Sequence, residues 1–191
     1  MSEKKIIYCK NIEEQKQKYE EYINTHIEAV KQCYSTAYKA FKEVFPDIFS
    51  DNADIMILDI ALSSHDESKF IIDEFKPYAN RFFPLEGTDP NSEIVKKEFE
   101  YAWFIHLRNN PHHPAFWAYV DDGIIKITDM PDIYIIEMLC DWMAMSKYYN
   151  SSTLDYWKSE SAQKLPMSDY TKSKINEFME WMQKNNESTL W

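Results

Sequence analysis

From Ile12 to about Val44 the positions Tyr19, Tyr22, Ile23, Val30, Cys33 and Ala37 recur at three- and four-residue steps, while Glu20, Glu21, Glu28 and Lys31 take the opposite side. That period predicts one long amphipathic helix, with His26 inside its apolar stripe. Pro46 and the cluster Ser50-Asp51-Asn52 end it and cap a second helix, about Ala53 to Asp66. Ile55, Leu58, Leu62 and His65 share the inward face of that helix. Asp66 follows about 100° further round, so both side chains can reach one point at the helix end. Ser68–Phe82 reads as helix broken or kinked at Pro77, and Pro84–Pro90 as a loop.

A further helix is predicted over about Asn91–Asn109, with Phe99, Ala102, Trp103 and His106 as its buried stripe. Arg108-Asn109-Asn110-Pro111-His112-His113-Pro114 must leave the helix because of its two prolines. Trp117–Val120 and Ile124–Thr128 alternate around Asp121-Asp122-Gly123, which predicts a small hairpin. Pro131, early in the first turn, opens a helix to about Tyr149, along which Glu137 and Asp141 project the same way. Helices over Thr153–Lys164 and Ser168–Asn185 complete the chain, with Asn186–Trp191 frayed and Ile6-Ile7-Tyr8 as a leader or short strand. The fold expected is all-α: one domain over residues 1–191 with its core at about 12–185, and one β-hairpin near residues 117–128.

Composition sharpens this picture. Aromatics make up 16% of the 191 residues, enough to exclude general disorder. Gly87 and Gly123 are the only two glycines, which excludes glycine-rich phosphate loops and a turn-rich β protein. A formal net charge of −11 repels phosphate backbones, so a nucleic-acid polymer or an anionic membrane is a disfavoured partner. Cys9, Cys33 and Cys140 are far apart and show no C-x-x-C spacing. They are expected as reduced thiols in a cytoplasmic protein. The N-terminus shows no signal-peptide pattern and no apolar run approaches the ~20 residues of a membrane span. Homo-oligomers are left open.

The candidate chemistry lies in the histidines. All five (His26, His65, His106, His112 and His113) fall in one series with Asp66 and Asp141. His26, His65 and His106 each sit on the apolar stripe of a separate predicted helix. Burying unpartnered imidazoles and carboxylates costs a few kcal/mol each, so such groups are paired or bind metal. Imidazole with carboxylate suits Mn, Fe, Co, Ni or Zn better than Ca. The wide spacing differs from zinc fingers and fits a catalytic site inside a helical bundle. Taken singly, each residue has a plainer reading: a core histidine for His26, a solvated charge or cap for Asp141, a surface lysine for Lys69, an exposed polar turn for His112-His113.

The order His … His-Asp-x-x-Lys … His … His-His … Asp resembles the HD-domain superfamily of metal-dependent phosphohydrolases and its binuclear members, including the HD-GYP type. The strings Ser64-His65-Asp66-Glu67-Ser68-Lys69-Phe70, Pro77-Tyr78-Ala79, Ala102-Trp103, Asn110-Pro111-His112-His113 and Glu137-Met138-Leu139-Cys140-Asp141-Trp142 are more specifically similar to an uncharacterised, HD-related family of bacterial and phage proteins. The resemblance covers roughly residues 20–180. It implies an HD-like helical bundle and one or two divalent metal ions. His26, His65, Asp66 and Asp141 would hold the first ion. Asp66 would bridge to a second, held by His106 and by His112 or His113. Lys69 would face a substrate phosphate, with Arg108 as a second cation. Glu137 would orient a histidine or accept a proton; a plain salt bridge is the alternative. Ser68 stands where the HD-GYP pattern has glycine, and the GYP motif is absent, which speaks against cyclic-dinucleotide cleavage. The expected activity is hydrolysis of a small phosphorylated molecule such as a nucleotide. Phe116, Trp117 and Tyr119 could stack on a base or serve as core. The alternatives are an HD-fold di-iron oxygenase, and a non-catalytic interaction module with a structural metal.

Overall fold

The computed structural model describes residues 6–185. Among these, eight α-helices and one two-stranded antiparallel sheet make an all-α fold with a small hairpin. The helices are α1 (Ile12–Val44), α2 (Asn52–Ser63), α3 (Ile72–Phe82), α4 (Glu93–Asn109), α5 (Asp132–Tyr149), α6 (Thr153–Lys158), α7 (Glu160–Gln163) and α8 (Asp169–Lys184). The strands are β1 (Ala118–Asp121) and β2 (Ile124–Ile127). The described chain divides into two compact units, residues 6–27 with Asp66–Asn110, and Glu28–His65 with 111–185.

The first unit packs the N-terminal part of α1 with α3 and α4 around an aromatic core. Tyr19 meets Phe75 edge-on at 4.8 Å between ring centroids, and Tyr78 meets Phe99 likewise at 4.9 Å. Such T-shaped pairs set positive ring edges against negative faces. No strand forms at Ile6-Ile7-Tyr8. Instead Cys9 makes a single parallel bridge with Leu85, its N–H donating to Pro84 O at 2.8 Å. Pro77 lies inside α3 without ending it.

The second unit is built on α5, ten of whose residues are buried. A helix so apolar all round belongs in the middle of a bundle. Ile135, Ile136, Leu139 and Met143 pack with Phe41 of α1, Phe45 just after it and Phe178 of α8, the rings of Phe41 and Phe178 stacking at 4.9 Å. The hairpin pairs Ala118 with Ile127 and Asp121 with Ile124. Asp122 and Gly123 both have positive φ (49° and 78°), as a two-residue type I′ turn requires.

Several boundaries shift from expectation. Helix α2 stops at Ser63, before His65 and Asp66. Ser64 folds its hydroxyl back onto Ile60 O at 2.8 Å, competing with helix continuation. Asp66 is left-handed at φ 57°, a conformation that aspartate tolerates better than most residues. The expected helix from Ser68 begins only at Ile72, after a 3₁₀ turn over Glu67–Phe70 and an extended Ile71. Pro131 is the residue before α5, not part of its first turn. The expected helix Thr153–Lys164 is cut at Ser159, which leaves the helix at ψ 151° and caps α7 by accepting from Ala162 N. Residues 186–191 lie outside the described residues.

Candidate metal centre

In the second unit, the turn after α2 presents His65 to α5. Glu137 and Asp141, one helical turn apart, bracket its imidazole. Nδ1 lies 2.9 Å from Glu137 Oε1, and Nε2 lies 3.8 Å from Asp141 Oδ1. The loop after Pro111 adds His112, whose Nδ1 is 3.0 Å from the same Glu137 oxygen and whose ring is 4.3 Å from that of His65. His65, His112 and Glu137 are all buried. Burial pushes the Glu137 carboxyl up, but His112 and His65 together outweigh it and hold the group below its usual range.

One donor atom each from His65, His112 and Asp141 falls within 4.8 Å of the others. A neutral imidazole carries one N–H. With Nδ1–H committed to Glu137, His65 turns a lone pair from Nε2 toward the Asp141 carboxylate. Lone pairs facing each other across such a gap suit a shared cation. Donors each about 2.0–2.2 Å from one ion stand roughly 3–4 Å apart, and a carboxylate behind the ligating histidine is the usual arrangement. The donor set therefore fits a divalent transition metal. His113 is half-buried, its ring 4.3 Å from that of His112, and within this unit it is His112 that joins His65 and Asp141.

In the first unit, Asp66 is surrounded by cations and imidazoles. Lys69 Nζ pairs with Oδ2, His26 Nε2 is 3.6 Å from Oδ2, and His106 Nε2 is 3.3 Å from Oδ1. Lys69, expected to face substrate, is buried against Asp66 with its ammonium 5.7 Å from the Tyr78 ring centroid. On the far side of His106, Nδ1 lies 2.9 Å from Oε2 of Glu74, a fully buried carboxylate. Burial holds the His106 pKa below the ordinary histidine value, against the opposing pull of Asp66 and Glu74. The hydroxyls of Tyr19 and Tyr78 are buried beside this group and, among the described residues, make no hydrogen bond. Burial and the charges of Asp66 and Glu74 push both phenols well above the usual tyrosine pKa.

Arg108 is exposed, with its guanidinium 5.8 Å from the Phe104 ring centroid. Trp117 is half-buried against the second unit's core and donates to Pro111 O at 2.7 Å, while Tyr119 is exposed on β1. Glu74 was not singled out by sequence, and Ser68 and Asn110 entered only within the family-like strings, with no role at the site. The available signal was Glu74 itself, an acid four residues before Tyr78 on an otherwise apolar stripe.

The fold and site thus define an all-α protein with buried His/Asp groups able to hold a metal ion. Residues 15–181 match a family of unknown function, DUF5662, and the chain belongs to that family. Neither the curated proteins nor the solved structures contain a match to it. Among the described residues no helix is long and apolar enough to cross a membrane.

Proposed function

We propose that this protein is a metal-dependent phosphohydrolase acting on a small phosphorylated molecule, with nucleotides the first class to test. The observation that carries the reading is the donor set of the second unit. His65 and His112 both turn Nδ1 to Glu137, and the Nε2 of His65 faces Asp141 at 3.8 Å. When bound there, a divalent transition metal (Mn, Fe, Co, Ni or Zn) supplies Lewis-acid polarisation of water and of phosphoryl oxygens. His65, His112 and Asp141 would hold it, and Glu137 keeps the histidines oriented and their ligating nitrogens unprotonated. His26, Asp66 and His106 supply further donors in the first unit. There Lys69, three residues after Asp66, is a buried cation paired with Asp66 that would have to turn from it to offset phosphate charge. The HD-type order of these residues along the chain supports the same chemistry.

The test is elemental analysis of protein purified without chelator, with a phosphatase screen over nucleotides and phenyl phosphates in Mn, Co, Ni and Mg. About one or two transition-metal ions per chain are expected, with phosphatase activity. Both should be lost in His65→Ala and Asp141→Ala while the helical circular dichroism remains. Full metal occupancy in both variants would remove the assignment. Iron with oxygen consumption and no phosphatase activity would replace it by the oxygenase reading. Absence of metal after loading would leave a non-catalytic module.

A further inference from the structure

A count of protons around His106 fixes which nitrogen carries its hydrogen. Asn110 Nδ2 lies 2.7 Å from Ser68 Oγ, 2.8 Å from His106 O and 3.0 Å from His106 Nδ1. An amide has two protons. The two shorter contacts, both to oxygen acceptors, use them, so Asn110 has none left for Nδ1. The reverse orientation of the amide would set its oxygen against His106 O and is excluded by repulsion. Ser68 Oγ, already accepting from Asn110, donates to Glu74 Oε2 at 3.0 Å. Asn109 Nδ2 donates to Glu74 Oε1 at 3.1 Å. Glu74 is fully buried and acceptor-only when ionised, so its remaining contact, His106 Nδ1 at 2.9 Å, must be met by a proton on Nδ1. The neutral ring then has a bare Nε2, 3.3 Å from Asp66 Oδ1.

We infer that Glu74, Ser68 and Asn110 form a positioning network that locks His106 as the Nδ1–H tautomer, so that its Nε2 lone pair and Asp66 Oδ1 are presented together to a divalent cation. Ser68 is the link: its hydroxyl accepts from the Asn110 amide and donates to Glu74 Oε2. The cation rests on the reading proposed above; the tautomer does not, since the protein's own donors and acceptors set it.

The experiment is long-range ¹H–¹⁵N correlation of the histidine rings in metal-free protein at neutral pH, with His106→Gln to assign the signals, followed by Zn²⁺ titration. Wild type should show His106 as the single Nδ1–H tautomer. Glu74→Gln puts an amide donor within reach of Nδ1 and should give mixed or Nε2–H signals. It should also weaken Zn²⁺ binding about 10- to 100-fold, the usual effect of losing a carboxylate behind a ligating histidine. Ser68→Ala keeps the carboxylate and should keep the Nδ1–H form, which preserves the test if Glu74→Gln does not fold. An Nε2–H tautomer in wild type or in Ser68→Ala would overturn the inference. So would an unchanged tautomer and affinity in a folded Glu74→Gln. A correct tautomer in a protein that binds no Zn²⁺ would retain the network and remove the metal reading alone.

Discussion

Replacing Glu137 should unsettle the second unit more than almost any other polar change. Its Oε1 alone serves His65 Nδ1 at 2.9 Å and His112 Nδ1 at 3.0 Å, and all three side chains are at least 95% buried. Leucine at this position has similar volume and no acceptor. The His65 N–H would then be stranded in the core at about 1–3 kcal/mol, and His112 would lose a buried charge contact. Together these approach the roughly 3–5 kcal/mol typical of breaking a buried pair from one side. At about 2–4 °C per kcal/mol for a chain of this size, Glu137→Leu should lower the melting temperature by roughly 5–20 °C. Because both contacts fall on one oxygen, Glu137→Gln can keep that oxygen as a carbonyl acceptor. It loses only the charge assistance, about half the strength of each bond, and should melt between the other two. The assay is thermal melting by circular dichroism in EDTA, so that metal does not contribute. A Glu137→Leu variant within about 2 °C of wild type would refute the claim that this carboxylate holds both rings. A Glu137→Gln variant as unstable as Glu137→Leu would refute the single shared acceptor.

The remaining predictions concern buried groups elsewhere. Tyr78→Phe removes a buried hydroxyl that makes no hydrogen bond among the described residues. It should raise stability by about 1 kcal/mol, or roughly 2–4 °C in melting temperature; a lower melting temperature would show that the hydroxyl has a stabilising partner. Cys9, Cys33 and Cys140 are all free and buried. A thiol-specific disulfide reagent at pH 8 should therefore label them only after guanidinium is added, and rapid labelling of native protein would contradict their burial. Burial also lifts the Cys33 pKa to about 11 from 9.0. The unfolded thiol ionises first, so this contribution to stability is present below pH 9.0 and is lost as pH rises to about 11. Cys33→Ala should flatten the alkaline fall of the melting temperature, and an unchanged profile would count against it.

Much of the architecture was legible along the chain because it is set within a turn or two. The stripe of Tyr19, Ile23, Val30 and Cys33 marks α1, and the Asp122-Gly123 pair marks the hairpin, since only a few residue types take two successive positive φ angles cheaply. Asp51, Ser152 and Ser168 cap helices with their own side chains. The burial of His26, His65 and His106 could also be anticipated, because each falls in register with apolar neighbours. Even locally, competing options defeated periodicity. The run into Asp66 has helical spacing, yet the Ser64 hydroxyl and the left-handed Asp66 end α2 early, and Ser159 divides what reads as one helix.

What the sequence determined by itself was therefore an inventory: the helices, the hairpin, and a set of imidazoles and carboxylates destined for apolar faces. Only the tertiary structure decided which of them pair. His65 meets Glu137 across 72 positions and His106 meets Glu74 across 32. No spacing rule reaches that far, because periodicity and propensity act between residues a turn apart, whereas partner choice follows from how separate helices pack. The same packing made Glu74, an unremarked acid in sequence, the fully buried anion behind His106. It also turned Lys69 onto Asp66 and left Arg108 in solvent. A carboxylate's role depends on what desolvates it and on which donors reach it, and both are properties of the folded chain.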